Sequence, residues 1–256
     1  MTNGNQGQSG IQSISRAANI LRCFYNEPAL RLTDISRIVG LHKSTAAGIL
    51  NTLKNEGLLE QDEPGGKFRL GLELFTIAMR ARGDLADICE PYLNRLLELT
   101  GETVNLAVLN KTDIVYIAKK ESSHSIRIGT SVGKRLPVYC AANGKAILAF
   151  LDEEKKLELI DRLEFHPFTA NTITDMDRLL AELEAIRVEG IAYDLEEYED
   201  GVICVAIPLL SATGNPIGAI SISGPQMRMD EVTRAEYAQH LREITSHIDV
   251  ELARLS

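Results

Sequence analysis

The 256-residue sequence is 45% hydrophobic and 25% charged and has no tryptophan, a balance that fits a folded globular chain rather than a disordered or fibrous one. It holds no run of the roughly 18 apolar residues a membrane span needs, and its MTNGNQGQSG start lacks the basic-then-apolar order of a signal peptide, so a cytoplasmic protein with no membrane partner is expected. The net charge of −9 speaks against a general nucleic-acid coat, but residues 1–75 carry eight Lys/Arg against seven Asp/Glu, which leaves room for a local DNA-reading face on an acidic body.

In chain order, residues 1–10 have almost nothing to bury and read as a disordered tail. An amphipathic helix is predicted from Ser13 to Tyr25, with Ile14, Ala17, Ala18 and Leu21 on one stripe and Pro28 ending it. A short helix follows with Thr33 as its N-cap and Gly40 as its stop. A third runs from about Lys43 to Glu56, ended by Gly57. Helix, tight turn, helix is the helix-turn-helix pattern, and the third helix has the two faces that DNA reading requires. Ala46, Ile49, Leu50 and Leu53 face inward; Ser44, Thr45, Gly48, Asn51, Thr52 and Asn55 face outward, small and hydrogen-bonding as a major groove requires.

The segment GLLEQDEPGGKFRLG alternates on both sides of Pro64-Gly65-Gly66 and predicts a β-hairpin bearing Lys67 and Arg69. A hairpin directly after a helix-turn-helix is a wing, whose cations contact phosphate and add affinity without sequence information. Helical patterning then covers 72–100, with breaks or a helix start at Gly83 and Pro91. Strands are predicted at 103–109, 113–119, 202–209 and 216–223. Helices are predicted from Asn143, within 152–162, over 174–189 and over 230–254. Strands and helices without strict alternation indicate an α+β body with a mainly antiparallel sheet. The expected domains are a tail at 1–10, a winged helix-turn-helix at 11–72, a helical linker at 73–90 and a body at 91–256.

The four cysteines, Cys23, Cys89, Cys140 and Cys204, form no CxxC pair, and the five histidines form no HxxxH or HExxH pair, so neither a metal site nor a cofactor is expected. There is no GxSxG, and Asn143-Gly144-Lys145 lacks the spacing of a phosphate-binding loop, so no catalytic residues are assigned and the chain is not expected to be an enzyme.

Several separated motifs agree in order with one family. Ser15-Arg16-Ala17 with Ile20-Leu21 and Phe24, Leu41-x-Lys43-Ser44-Thr45, and Gly66-x-x-x-Leu70-Gly71 mark the head. Leu136-Pro137 before Gly144-Lys145-Ala146-x-Leu148-Ala149, then Gly190-x-x-x-Asp194-x-x-Glu197 and Cys204-Val205-Ala206-x-x-Leu209, mark the body. From about Ser13 onward the sequence resembles the IclR family of bacterial transcription regulators. It departs at Gly48, where the family usually has a large polar or basic residue, and at Leu210-Ser211, where the fingerprint usually ends in an aromatic and Asp/Asn.

The resemblance implies a GAF-like effector domain and a dimer or dimer of dimers on double-stranded operator DNA. It implies a regulator that mostly represses, here a catabolic operon, sometimes activates, and responds to a small organic, sugar or aromatic acid. DNA contacts would come from Lys43, Ser44, Thr45, Gly48, Asn51, Thr52, Lys67 and Arg69. The effector pocket would be formed by Ala142, Asn143, Gly144, Asp194, Cys204, Ser221 and Ser223. The chemistry of that set is coherent by itself. Unpaired N–H groups at a helix start cradle a carboxylate. Ser221 and Ser223, two apart on a strand, send both hydroxyls to one face, unless they only satisfy neighbouring backbone. Asp194 accepts from ligand hydroxyls or is protonated against a carboxylate, and Cys204 is a small soft wall or simple core. Lys145, a cation in an unfavourable first-turn position, either assists an anion or points to solvent. A thiol redox regulator using Cys140 and Cys204 is the rival reading.

Overall fold

The computed structural model describes residues 11–25, 27–81 and 83–255, so the expected tail at 1–10 lies outside the described residues. The chain divides into two compact units, Met1–Gly83 and Asp84–Ser256.

In the first unit α1 (Gln12–Arg22) runs into a 3-10 turn at Cys23–Tyr25 and is followed by α2 (Leu32–Ile38) and α3 (Lys43–Asn55). The hairpin is β1 (Leu59–Gln61) and β2 (Phe68–Leu70), paired Leu59 with Leu70 and Gln61 with Phe68. Ile20, Phe24, Leu30, Ile35, Leu50, Leu53, Leu59 and Phe68 form one buried cluster, so the inward stripes of all three helices meet the hairpin. The expected cap at Thr33 is not used. Leu30 exchanges both backbone hydrogen bonds with Phe68, at 2.8 and 3.1 Å, which holds Arg31 extended and starts the helix at Leu32 without a side-chain cap. The turn into α3 carries Gly40 at φ +64° and is closed by Ser36 Oγ donating to the Leu41 carbonyl at 2.6 Å. The unit ends on α4 (Leu72–Ala81), where Leu72, Phe75 and Ile77 are exposed.

The boundary falls at the first residue of α5 (Gly83–Thr100), which contains Pro91 and otherwise belongs to the second unit. Ala86 and Cys89, inside the expected linker, are buried with Leu93 and Leu96 in the body core. There follow β3 (Thr103–Asn110), β4 (Asp113–Lys120), β5 (Arg135–Pro137), α6 (Ala142–Phe150), α7 (Glu153–Ile160), α8 (Met176–Glu189), β6 (Ala192–Leu195), β7 (Val202–Leu210), β8 (Pro216–Pro225) and α9 (Glu231–Leu255). The six strands form one antiparallel sheet in the order β5-β4-β3-β8-β7-β6. The fold is therefore α+β, with a winged helix-turn-helix and a body on an antiparallel sheet.

Alternation along β8 shows how the sheet is partitioned. Ile220 and Ile222 join Val104, Leu106 and Val205 under α5 and α9. Ala219, with Ala107, Ala192 and Ala206, joins the other cluster, which holds α6 and α8. The alanine face lets α6 lie close, and on that same face the polar residues Asn105, Asp194, Ser221 and Ser223 are buried. A soluble core admits such groups only when they are hydrogen-bonded or functional.

Candidate functional site

In the head, α3 places Lys43, Ser44, Thr45, Gly48, Asn51 and Thr52 on its exposed face, while Ala46, Leu50 and Leu53 are buried and Ile49 packs partly into the core. Two hydroxyls of that face are already engaged. Thr52 Oγ1 donates to the Gly48 carbonyl at 3.1 Å. Ser44 Oγ lies 2.8 Å from His42 Nδ1, and that nitrogen also accepts the Ser44 N–H. His42 is thus the N-cap of α3. On the hairpin Arg69 is paired with Asp62 at 3.1 Å, whereas Lys67 is exposed. The two cations differ in what a phosphate would displace.

In the body, register aligns the site across the sheet. Asp194 pairs with Cys204, Cys204 with Ser223, and Ser223 with Thr103; one step along, Ala206 pairs with Ser221 and Ser221 with Asn105. The start of α6 lies against these rows, and a narrow cavity of about 20 Å³ is lined by Ala142, Asn143, Asp194, Cys204, Ser221 and Ser223. Six of the seven sequence-predicted pocket residues therefore come together.

Gly144 does not line the cavity. A Cβ there would sit 2.3 Å from the Val138 carbonyl oxygen, so this glycine is the point where α6 presses on the strand-exit backbone. Gly144→Ala is expected to cost about 1–3 kcal/mol, as overpacking does. A urea denaturation midpoint unchanged from wild type would contradict that close approach.

The walls also include Tyr116, Thr130, Lys134, Tyr198 and Glu199, which the sequence did not single out. Alternation in DIVYIAKK does put Tyr116 on the buried side of β4, a signal that was readable. Thr130 and Lys134 lie in an aperiodic loop, pinned by Thr130 Oγ1 donating to Asn105 Oδ1 at 2.7 Å and Gly133 N–H donating to the Tyr116 carbonyl at 2.8 Å. Lys134 Nζ stands 5.4 Å above the Tyr198 ring.

Electrostatically the cavity has three notable features. The first is Asn143, 2% exposed, whose Oδ1 and Nδ2 both lack a hydrogen-bond partner. A buried unpaired amide costs about 1–3 kcal/mol, so its presence asks for a ligand. The second is Asp194, whose carboxyl is pushed up to about 7, first by burial and further by the Glu197 charge, against lowering by the Glu197 N–H donated to Oδ1 at 2.7 Å and by Lys145. The third is Lys145, fully buried, with Nζ 2.5 Å from Glu197 Oε1 and 3.1 Å from Glu182 Oε1. Neither expected role for Lys145 holds: it is an internal counter-ion, neither solvated nor free to greet an anion.

At the amino end of α6, Ala141 provides no side-chain cap for the first-turn N–H groups, and Ala141, Ala142 and Asn143 line the cavity. Burial pushes the Cys140 and Cys204 thiols well up, and the Asp194 charge adds to this, so neither thiolate forms readily. That removes physical support from the redox reading. Among the described residues no cluster of three or more His, Cys, Asp or Glu is arranged to hold a metal, and no helix is long and apolar enough to cross a membrane.

Residues 13–63 match the IclR helix-turn-helix domain and residues 78–250 match the bacterial transcriptional regulator IclR C-terminal domain. The chain is 35% identical over 237 residues to the HTH-type transcriptional regulator XynR of Escherichia coli (strain K12), covering 91% of this chain and 94% of that one. It is 32% identical over 248 residues to the HTH-type transcriptional repressor AllR of the same strain, covering 96% and 92%. An IclR homolog from Microbacterium hydrocarbonoxydans, solved in complex with 4-hydroxybenzoate, superposes with a TM-score of 0.83 at 26% identity over 95% of this chain and 100% of that one.

Proposed function

The chain belongs to the IclR family of bacterial transcription regulators, and on that premise we propose that it is a cytoplasmic repressor of a catabolic operon whose hold on its operator is altered by a small organic acid in the body cavity. The single observation that carries the sensing half is the buried Asn143 amide with neither end satisfied, beside an uncapped helix start, in a cavity also lined by Asp194, Ser221 and Ser223. The uncapped N–H groups take the carboxylate, since a helix amino end is a ready anion site. Effector binding biases two states of the regulator by its differential affinity for them, and the helical segment at 72–90 carries the difference to the head.

The operator half rests on α3 and the hairpin. Ser44, Thr45 and Asn51 read base edges, with Gly48 leaving space rather than contact, since nothing lies within 4 Å of where its Cβ would be. Lys67, unpaired by any carboxylate among the described residues, supplies phosphate contact; Arg69 does so after release from Asp62. A second copy of the chain covers the exposed Leu72, Phe75 and Ile77 of α4, giving two heads for two half-sites.

The test is selection of bound duplexes from a random pool, followed by titration of the selected and a scrambled duplex over a salt series. Ser44→Ala with Thr45→Ala is expected to lower affinity for the selected duplex about 10- to 100-fold and to leave the scrambled one nearly unchanged. Lys67→Ala is expected to weaken both and to reduce the salt slope by about one. Equal loss on both duplexes in the Ser44/Thr45 variant would sink the base-reading assignment.

A further inference from the structure

The exposed face of α3 carries a constraint that its residue types alone do not show. His42 Nδ1 accepts the Ser44 backbone N–H at 3.4 Å, and a ring nitrogen that accepts carries no proton. In the 2.8 Å contact between that same nitrogen and Ser44 Oγ, the hydroxyl is therefore the donor. Both donors of Ser44 are spent on one nitrogen, and its Oγ has only lone pairs left for a partner outside the chain. Thr52 is in the same condition, since its Oγ1 donates to the Gly48 carbonyl at 3.1 Å. Gly48 lies between the two on the row of every fourth residue and has nothing within 4 Å of its missing Cβ, so a duplex can come close to both.

DNA sorts such oxygens by polarity. Phosphate oxygens are acceptors, so an oxygen with no proton to give makes no hydrogen bond to them. In the major groove adenine N7, guanine N7 and O6, and thymine O4 are acceptors as well. The donors there are the adenine N6 and cytosine N4 amino groups.

We propose that His42 sets the specificity of the recognition helix: by taking the Ser44 proton it makes Ser44 Oγ an acceptor that reads the amino group of an adenine or a cytosine and rejects an acceptor at the same place. This rests on the base-reading assignment of Ser44 above and gives that contact its polarity. His42 is a positioning residue, acting on DNA through Ser44. A histidine that only capped α3 would support binding to every duplex alike.

The experiment uses the full-length protein and the selected duplex. Each adenine is replaced in turn by purine and each cytosine by 2-pyrimidinone, which deletes the amino group; each purine is replaced by its 7-deaza form, which deletes the N7 acceptor. Competition titrations compare wild type, Ser44→Ala and His42→Ala. The wild type is expected to lose about 3- to 10-fold in affinity at the amino deletion facing Ser44, the loss of one hydrogen bond, and Ser44→Ala to be indifferent to that deletion. Reversing the same base pair puts thymine O4 or guanine O6 where the amino group was, and the wild-type penalty for this is expected to be about 10-fold or more. His42→Ala, with its fold checked by melting, frees the hydroxyl to donate and should shrink that penalty at least 3-fold. If His42→Ala does not fold, the amino and 7-deaza deletions on wild type and Ser44→Ala decide the polarity, because Ser44→Ala keeps His42 as the cap of its N–H. Coupling of Ser44 to a 7-deaza position in place of an amino deletion overturns the polarity and leaves base reading standing. A reversal penalty unchanged in folded His42→Ala reduces His42 to a helix cap and overturns its role. Ser44→Ala that alters the response to no base overturns base reading and the proposal with it.

Discussion

Lys145→Met is expected to destabilise the body by about 3–5 kcal/mol at pH 8, because removing one partner of a buried ion pair strands the other. Lys145 is fully buried and touches Glu197 at 2.5 Å and Glu182 at 3.1 Å, while Glu197 Oε2 makes no well-formed hydrogen bond among the described residues. Glu182 is partly exposed and can turn to water; Glu197 cannot. Burial already holds the Glu197 carboxyl above its ordinary value, and Lys145 is the main influence holding it down. Without the lysine that carboxyl rises further. A raised carboxyl favours the folded state below its unfolded value and loses that advantage as pH rises through its folded value. The deficit of Lys145→Met should therefore be larger at pH 8 than at pH 5.5, and Lys145→Met with Glu197→Gln should recover much of it. Urea denaturation at the two pH values measures this, and a deficit independent of pH would show that Glu197 does not carry it.

Lys145 also marks where sequence reasoning stopped. Its position in the first turn of a helix was readable; its partners lie 37 and 52 residues away and come from α8 and the turn after β6, which no local pattern announces. The head was legible nearly throughout, because three apolar stripes and a Gly-rich hairpin are local signals. The first helix gives way to a 3-10 turn at Cys23–Tyr25, and the α2 start moved because Leu30 pairs with Phe68, a contact between distant residues.

In the body, β7 and β8 were readable from long alternating runs, whereas β5, three residues, and β6, four residues including Asp194, were too short for periodicity to register. Yet β6 is what sets Asp194 opposite Cys204. The pocket was found through motifs on α6, β6, β7 and β8, and its loop side was missed because Thr130 and Lys134 are positioned by hydrogen bonds and not by any repeat. Gly144 was taken for a ligand-facing group because spacing cannot tell a cradle from a close approach; the 2.3 Å distance to Val138 can.

Asp194→Asn is expected to raise stability at pH 8 and to remove most of the pH dependence of effector binding. The folded-state carboxyl stands at about 7 against an ordinary 3.8, so the wild type loses stability progressively as pH rises through that window and has lost it fully above 7. A displacement of about three units corresponds to about 4 kcal/mol, the upper bound on what the amide variant regains. Asparagine keeps an oxygen to accept the Glu197 N–H, so the backbone of the turn is retained. The groups facing Asp194 are Glu197 and Tyr198 from its own turn, Lys145 from α6, Cys140 from the turn before α6, Tyr116 from β4 and Cys204 from β7. Lys145 is neutralised by Glu197 and Glu182, and the cation lining the cavity without a carboxylate partner among the described residues is Lys134, so a carboxylate arriving beside Asp194 rather than Lys134 is accommodated by proton uptake at Asp194. Affinity for an acid effector should then fall up to about 10-fold for each pH unit above 7 in the wild type. In Asp194→Asn it should be nearly flat from pH 6 to 9. Titrations in two buffers of different ionisation enthalpy would count the proton directly at pH 8, and an uptake near zero in the wild type would remove Asp194 from the binding equilibrium.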